Sequence, residues 1–214
     1  MAVRTKKGVQ KYMCKKLREI HGMQPEDIRR KYNLDGVIDM QVLLNQMGVM
    51  HRKNDFSTLE EKLFFNGNDS IMGMACTGEN DLLILYGDKL DDKDRNYVLA
   101  HELGHCCLHL PVTSEYHVEL KTKNDIYPIM NKLLYKLMFR NKDAKEHEAD
   151  VFAANLLIPT NSFIDLLMDD EVPTIRDISD RFCVPERLVR TKIELINKSR
   201  RQRIFSSYLL DRGI

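Results

Sequence analysis

Hydrophobic positions along the chain follow two rhythms. Over residues 92–110 they recur at helical spacing, with Val98, Leu99, Leu103, Cys106, Cys107 and Leu110 on one stripe and Pro111 as a stop. The same rhythm predicts helices over 130–139 (Leu133, Leu134, Leu137, Met138), 145–159, 161–168, 175–182 and 186–197. Nearer the start, Val9, Tyr12, Met13 and Leu17 fit a helix over 4–18, and Pro25 suits the first position of a short helix reaching Tyr32. Asp39 can cap a third helix, through Leu43, Leu44 and Met47, that Gly48 stops. The other rhythm is of short apolar runs. Residues 49–52 predict a strand, and 71–77 and 82–86 predict a hairpin joined by Gly78-Glu79-Asn80-Asp81. Ser57-x-x-Glu60 reads as a capping box before Phe64-Phe65-Asn66-Gly67. The fold expected is α+β, with a small mixed or antiparallel sheet. It divides into a main domain over 1–158, whose residues 1–48 form a helical cover, and a helical module over 159–214.

Composition narrows the class. At 214 residues, 43% hydrophobic and 30% charged, the chain can bury one sizeable core plus a small second module. No apolar run approaches the ~18 residues a membrane span needs, and the Lys-rich start lacks the apolar core of a signal peptide. Five irregularly spaced cysteines fit a reducing cytoplasm better than a disulfide scaffold. A net charge of +1 argues against wholesale electrostatic binding of nucleic acid.

The chemistry concentrates in Leu99-Ala100-His101-Glu102-Leu103-Gly104-His105. Two imidazoles at i and i+4 share one helix face, roughly 6 Å apart at Cβ, and can close on one metal ion. Glu102 lies about 100° further round, placed to flank the ion without binding it. This is the HExxH pattern, in which His101 and His105 hold Zn²⁺ and Glu102 takes the proton of the attacking water. Mn²⁺ or Fe²⁺ suits the same ligands. Cys106 and Cys107, adjacent and pointing apart, read as packing.

A catalytic zinc takes three protein ligands and keeps one position open, so one more ligand is needed. The segment 145–159 offers Glu146, His147 and Glu148. Glu146 is the first choice, because it shares a face with Ala149, Asp150 and Ala153. Small residues there let two helices approach, and Asp150 can accept a hydrogen bond from a ligand imidazole and fix its tautomer. Glu148, sharing its face with Phe152, is the runner-up, and His147 stands behind both. Between the two segments, the polar stretch 113–125 can cover a cleft, and its Tyr116 and His117 are candidates to stabilise an oxyanion or touch substrate.

The hairpin running into A-H-E-L-G-H-x-x-L-H (100–109), followed by E-x-x-A-D-x-F-A-A-x-L-L-I-P (146–159), resembles the ImmA/IrrE family of zinc metallopeptidases. The resemblance covers residue 71 to the C-terminus. It implies a zincin-like fold, with His101, His105 and Glu146 as zinc ligands and Glu102 as catalytic base. His109 matches the family pattern too, either supporting a ligand by a hydrogen bond or packing the helix. The family's known role, cleavage of helix-turn-helix repressors to relieve repression in mobile elements or stress responses, implies a repressor as substrate.

The tail carries a pattern of its own. Two short helices around Cys183-Val184-Pro185, with Ile178, Val184, Val189 and Ile193 apolar, resemble a helix-turn-helix, although Cys183 stands where glycine is usual. Its second helix offers Arg187, Arg190 and Lys192 for a weak DNA contact, with Lys198, Arg200, Arg201 and Arg203 beyond. The favoured expectation is that this module packs on the peptidase and docks a protein substrate. Two rival readings stand beside the enzyme: a DNA-binding regulator whose metal site is not catalytic, and a protein that sequesters a repressor without cutting it. An intact HExxH set speaks against the last, because sequestration needs no general base.

Overall fold

The computed structural model describes residues 14–57, 71–77, 81–109, 142–168 and 173–210. The start of the first expected helix, residues 58–70, the tip of the hairpin, the cleft cover with Tyr116 and His117, and the expected helix over 130–139 lie outside them.

The described chain is α+β. Its helices are α1 (Lys15–Ile20), α2 (Pro25–Lys31), α3 (Met40–Met47), α4 (Asp92–Leu108), α5 (Lys142–Leu157), α6 (Thr160–Leu167), α7 (Ile175–Phe182) and α8 (Glu186–Leu210). Strands β1 (Met50–Asn54), β2 (Gly73–Thr77) and β3 (Leu82–Gly87) form a mixed sheet in the order β1-β3-β2. The expected hairpin is β2 and β3, antiparallel with Ala75 opposite Ile84. The third strand adds something that local pattern does not reveal: β1 runs parallel to β3, from Met50 opposite Leu83 to Asn54 opposite Gly87. A parallel partner needs a crossover, and the sequence between them supplies it by passing through β2.

Helix ends follow local chemistry. Asp39 caps α3 by accepting from the N–H groups of Gln41 and Val42 at 2.8 and 3.3 Å. Gly48 ends that helix at φ 67°, a conformation that costs glycine nothing. Asp91 caps α4 by accepting from the Asp94 N–H at 2.8 Å, and Asp92 and Asp94 lie in its first turn, where the helix dipole favours acid. Thr174 and Asp177 form a capping box at α7. The last helix runs on to Leu210, well beyond the expected end at 197.

Helix α4 is the organising element, packed against β2, β3, α1, α3 and α5. Alternation along β3 sends Leu82, Ile84 and Tyr86 into the main core, while Met74 and Cys76 of β2 join Phe56 in a second cluster on the other face. The main core is contiguous from Cys14 to Val189 and includes Phe163, Ile178, Phe182, Val184 and Leu188 of the C-terminal helices. Buried Asn96 of α4 ties distant segments: it accepts from the Met40 N–H at 2.9 Å and donates to the carbonyls of Ile38 and Cys183 at 2.9 and 3.2 Å. A buried amide satisfied on both ends costs little and fixes the relative placement of α3, α4 and the turn after α7.

Candidate metal centre

One turn of α4 sets His101 and His105 with ring centroids 4.7 Å apart and Nε2 atoms 3.0 Å apart. Helix α5 crosses close enough to add Glu146, whose Oε2 lies 3.2 Å from His101 Nε2 and 3.7 Å from His105 Nε2. The approach depends on small residues. A Cβ on Gly104 would stand 3.1 to 3.2 Å from the Phe152 side chain, and Ala149 and Ala153 of α5 are fully buried. Glu148 does not join the imidazole pair, since its carboxylate turns to His109 Nε2 at 2.8 Å.

Asp150, one turn after Glu146, faces His101 Nδ1 at 2.8 Å and also accepts from the Tyr97 hydroxyl at 2.6 Å, both on Oδ1. A carboxylate only accepts, so a neutral His101 with a cation at Nε2 keeps its proton on Nδ1 toward Asp150, and without a cation Nε2 too needs a proton to bond Glu146. Burial pushes the His101 pKa down, but hydrogen bonds to Asp150 and Glu146 outweigh it and raise it to about 9. Glu146 is held well below the usual carboxylate range by hydrogen bonds to His101 and His105. Burial alone would raise Asp150, yet bonds from His101 and Tyr97 leave it lowered.

These facts test whether a metal ion fits. One donor atom each from His101, His105 and Glu146 lies within 4.8 Å of the others. With His101 bare at Nε2, two nitrogens and a carboxylate oxygen converge, an arrangement that repels itself unless positive charge sits among the donors. Without metal that charge is a second proton on His101, which is the meaning of its raised pKa. A divalent cation supplies it better, and N,N,O donors with an outer carboxylate on one imidazole suit zinc. Among the described residues this is the only such group of three.

Glu102 is buried, at 9% exposure, under β2. A Cβ on Gly73 would meet Glu102 Cγ and Oε1 at 3.0 Å and Val98 Cγ1 at 2.5 Å, so only glycine lets the edge strand lie this close to the side chain. Burial raises the Glu102 pKa against the pull of the two imidazoles and a backbone hydrogen bond from Ala75. A carboxyl group raised above its ordinary range is better matched to take and return a proton than a solvated one.

Sequence pattern does not single out Tyr97, although it stands one turn before His101 on the same face. Its ring is covered by the Arg187 guanidinium at 4.6 Å, and Arg187 also pairs with Asp94 at 2.9 Å. Lys192 is not at the surface where a DNA-reading side chain would be: it is 1% exposed and donates to Asn155 Oδ1 and Thr160 Oγ1 at 2.7 and 2.9 Å. Arg187 stays about half exposed while held by these contacts, and Arg190 is exposed beside Glu186 at 3.7 Å. His147 is exposed as well.

An α+β fold with two imidazoles and a carboxylate converging from separate helices defines a candidate metalloenzyme. The Peptidase M78 family model, the IrrE N-terminal-like domain, matches residues 73–194, more than half of the chain, and the chain belongs to this metallopeptidase family. Comparison with curated proteins and with solved structures gives no match. Among the described residues no helix is long and apolar enough to cross a membrane.

Proposed function

We propose that this metallopeptidase is a zinc-dependent endopeptidase of the HExxH…Glu, zincin-like type. Its ligands are His101, His105 and Glu146, and its substrate is a helix-turn-helix repressor in the cytoplasm whose cleavage relieves repression. The observation that carries the reading is the convergence of three donor atoms from α4 and α5 with Glu102 buried alongside. Held by His101, His105 and Glu146, zinc would supply Lewis acidity toward the attacking water and the scissile carbonyl. Glu102 accepts the proton of that water and returns it to the leaving amine. Asp150 keeps the His101 proton on Nδ1, and Tyr97 holds Asp150. The pair α7 and α8 is read as a helix-turn-helix-like module that docks the protein substrate. Burial of Lys192 and engagement of Arg187 with Tyr97 and Asp94 support a docking role, with any DNA contact weak.

The test is to incubate the full chain and Zn²⁺ with a candidate repressor, such as one encoded beside it, and follow fragments by mass spectrometry. Cleavage by the wild type, and none by Glu102→Gln with metal still bound, is the expected result. A Glu102→Gln variant that cuts at the normal rate overturns the mechanism. A stable complex without fragments makes the protein a sequestering partner, and salt-sensitive binding of duplex DNA without fragments makes it a regulator.

A further inference from the structure

His105 has no carboxylate of its own to play the part that Asp150 plays for His101. Its Nδ1 instead faces Nδ1 of His109 at 2.8 Å, and His109 Nε2 faces Glu148 Oε2 at 2.8 Å. The direction of this line follows from the hydrogens. Glu148 can only accept, so the proton of a neutral His109 sits on Nε2 and donates to Glu148. His109 Nδ1 is then bare and accepts from His105 Nδ1–H, which leaves the lone pair of His105 Nε2 pointing toward Glu146 and His101. The opposite tautomer would put a proton on His105 Nε2, in the space where the other donors converge. The His109 side chain is only 8% exposed, so water has little access to replace it, while Glu148 is 60% exposed.

We infer that His109 and Glu148 are positioning residues for His105, fixing its tautomer and ring plane through a two-step hydrogen-bond line. This role rests on the metal-centre reading above and gives Glu148, from the same helix as Glu146, a different task from its neighbour. The two ligand imidazoles are therefore oriented from α5 by two carboxylates, Asp150 directly and Glu148 through a second imidazole.

The test is Zn²⁺ affinity of the full chain by competition with a chromophoric chelator, with thermal unfolding of the metal-free proteins as a control for packing. His109→Leu, which keeps bulk but offers no acceptor, is expected to lose 10–100-fold in affinity. His109→Asn, whose amide oxygen can stand near the place of Nδ1, is expected to recover a substantial part of that loss. Glu148→Ala is expected to weaken binding several-fold with unchanged unfolding, Glu148→Gln much less, and His109→Leu/Glu148→Ala no further than His109→Leu alone, because both act along one line. Wild-type affinity in either His109→Leu or Glu148→Ala overturns the inference, as does equal weakening in His109→Leu and His109→Asn. If the wild type takes up no stoichiometric Zn²⁺ that His101→Ala loses, the metal-centre reading falls and takes this inference with it.

Discussion

The Tyr97 hydroxyl donates at 2.6 Å to Oδ1 of Asp150, the same oxygen that faces Nδ1 of His101 at 2.8 Å. A phenol and an imidazole thus anchor one carboxylate from two directions, and that carboxylate sets which imidazole nitrogen is free. Removing it in Asp150→Ala is expected to cost 10–100-fold in zinc affinity. Tyr97→Phe, which deletes one hydrogen bond of about 1 kcal/mol, is expected to cost about 5-fold. Chelator competition measures both, and an Asp150→Ala variant with wild-type affinity would show that the bond to His101 is idle.

Two glycines give separable outcomes because each holds a different element against α4. Gly104→Ala presses on Phe152 and pushes α5 away, so zinc affinity is expected to fall as Glu146 retreats. Gly73→Ala collides with Val98 and Glu102 under β2, so peptide cleavage is expected to fall while zinc binding stays close to wild type. Each overpacked contact is expected to destabilise by about 1–3 kcal/mol, less any gain in helix propensity at position 104. Calorimetry alongside metal titration and a cleavage assay reads all three quantities.

Lys192 predicts a pH dependence of stability. Burial lowers its pKa from 10.5 to about 8, so between those values the unfolded chain carries a proton that the folded chain has released. Stability contributed by this group therefore rises as pH goes from about 8 to 10.5, and below pH 8 the full cost of burying the charge, on the order of 3 kcal/mol, is present. Lys192→Met should flatten that rise in denaturant-unfolding curves recorded across the window. An unchanged slope would mean that Lys192 titrates as a solvated lysine.

Cys183 ends α7 in the left-handed region at φ 51°, one of two non-glycine residues with positive φ among those described. A Cβ there costs roughly 1 kcal/mol, partly offset by the greater freedom glycine brings to the unfolded chain. Cys183→Gly is expected to raise the melting temperature by about 1–4 °C and Cys183→Ala to leave it nearly unchanged. A lower melting temperature in Cys183→Gly would show that the thiol packs better than its backbone suffers.

Legibility in the sequence tracks the range of the interaction. His101, Glu102 and His105 could be singled out because the spacing of their side chains is set within one helix turn, and the small face of Ala149 and Ala153 marked the side of α5 that turns to α4. Caps at Asp39 and Gly48 and the β2–β3 hairpin were legible for the same reason, since each is decided by neighbours a few residues away. The parallel pairing of β1 with β3 was not, because it joins segments more than thirty residues apart, and periodicity records which face is apolar without recording what covers it.

The sequence by itself determined the donor types, their spacing on α4 and the set of acidic candidates on α5. Only the tertiary structure decided which carboxylate meets which imidazole: Glu146 and Asp150 go to His101, Glu148 to His109, and Tyr97 to Asp150. It also took Lys192 off a surface where charge alone would have left it, and set the half-exposed Arg187 over the Tyr97 ring. The physical reason is that a helix fixes angles about its own axis, whereas the crossing of two helices is set by side-chain packing, here by Gly104 against Phe152, which no single stretch of chain encodes.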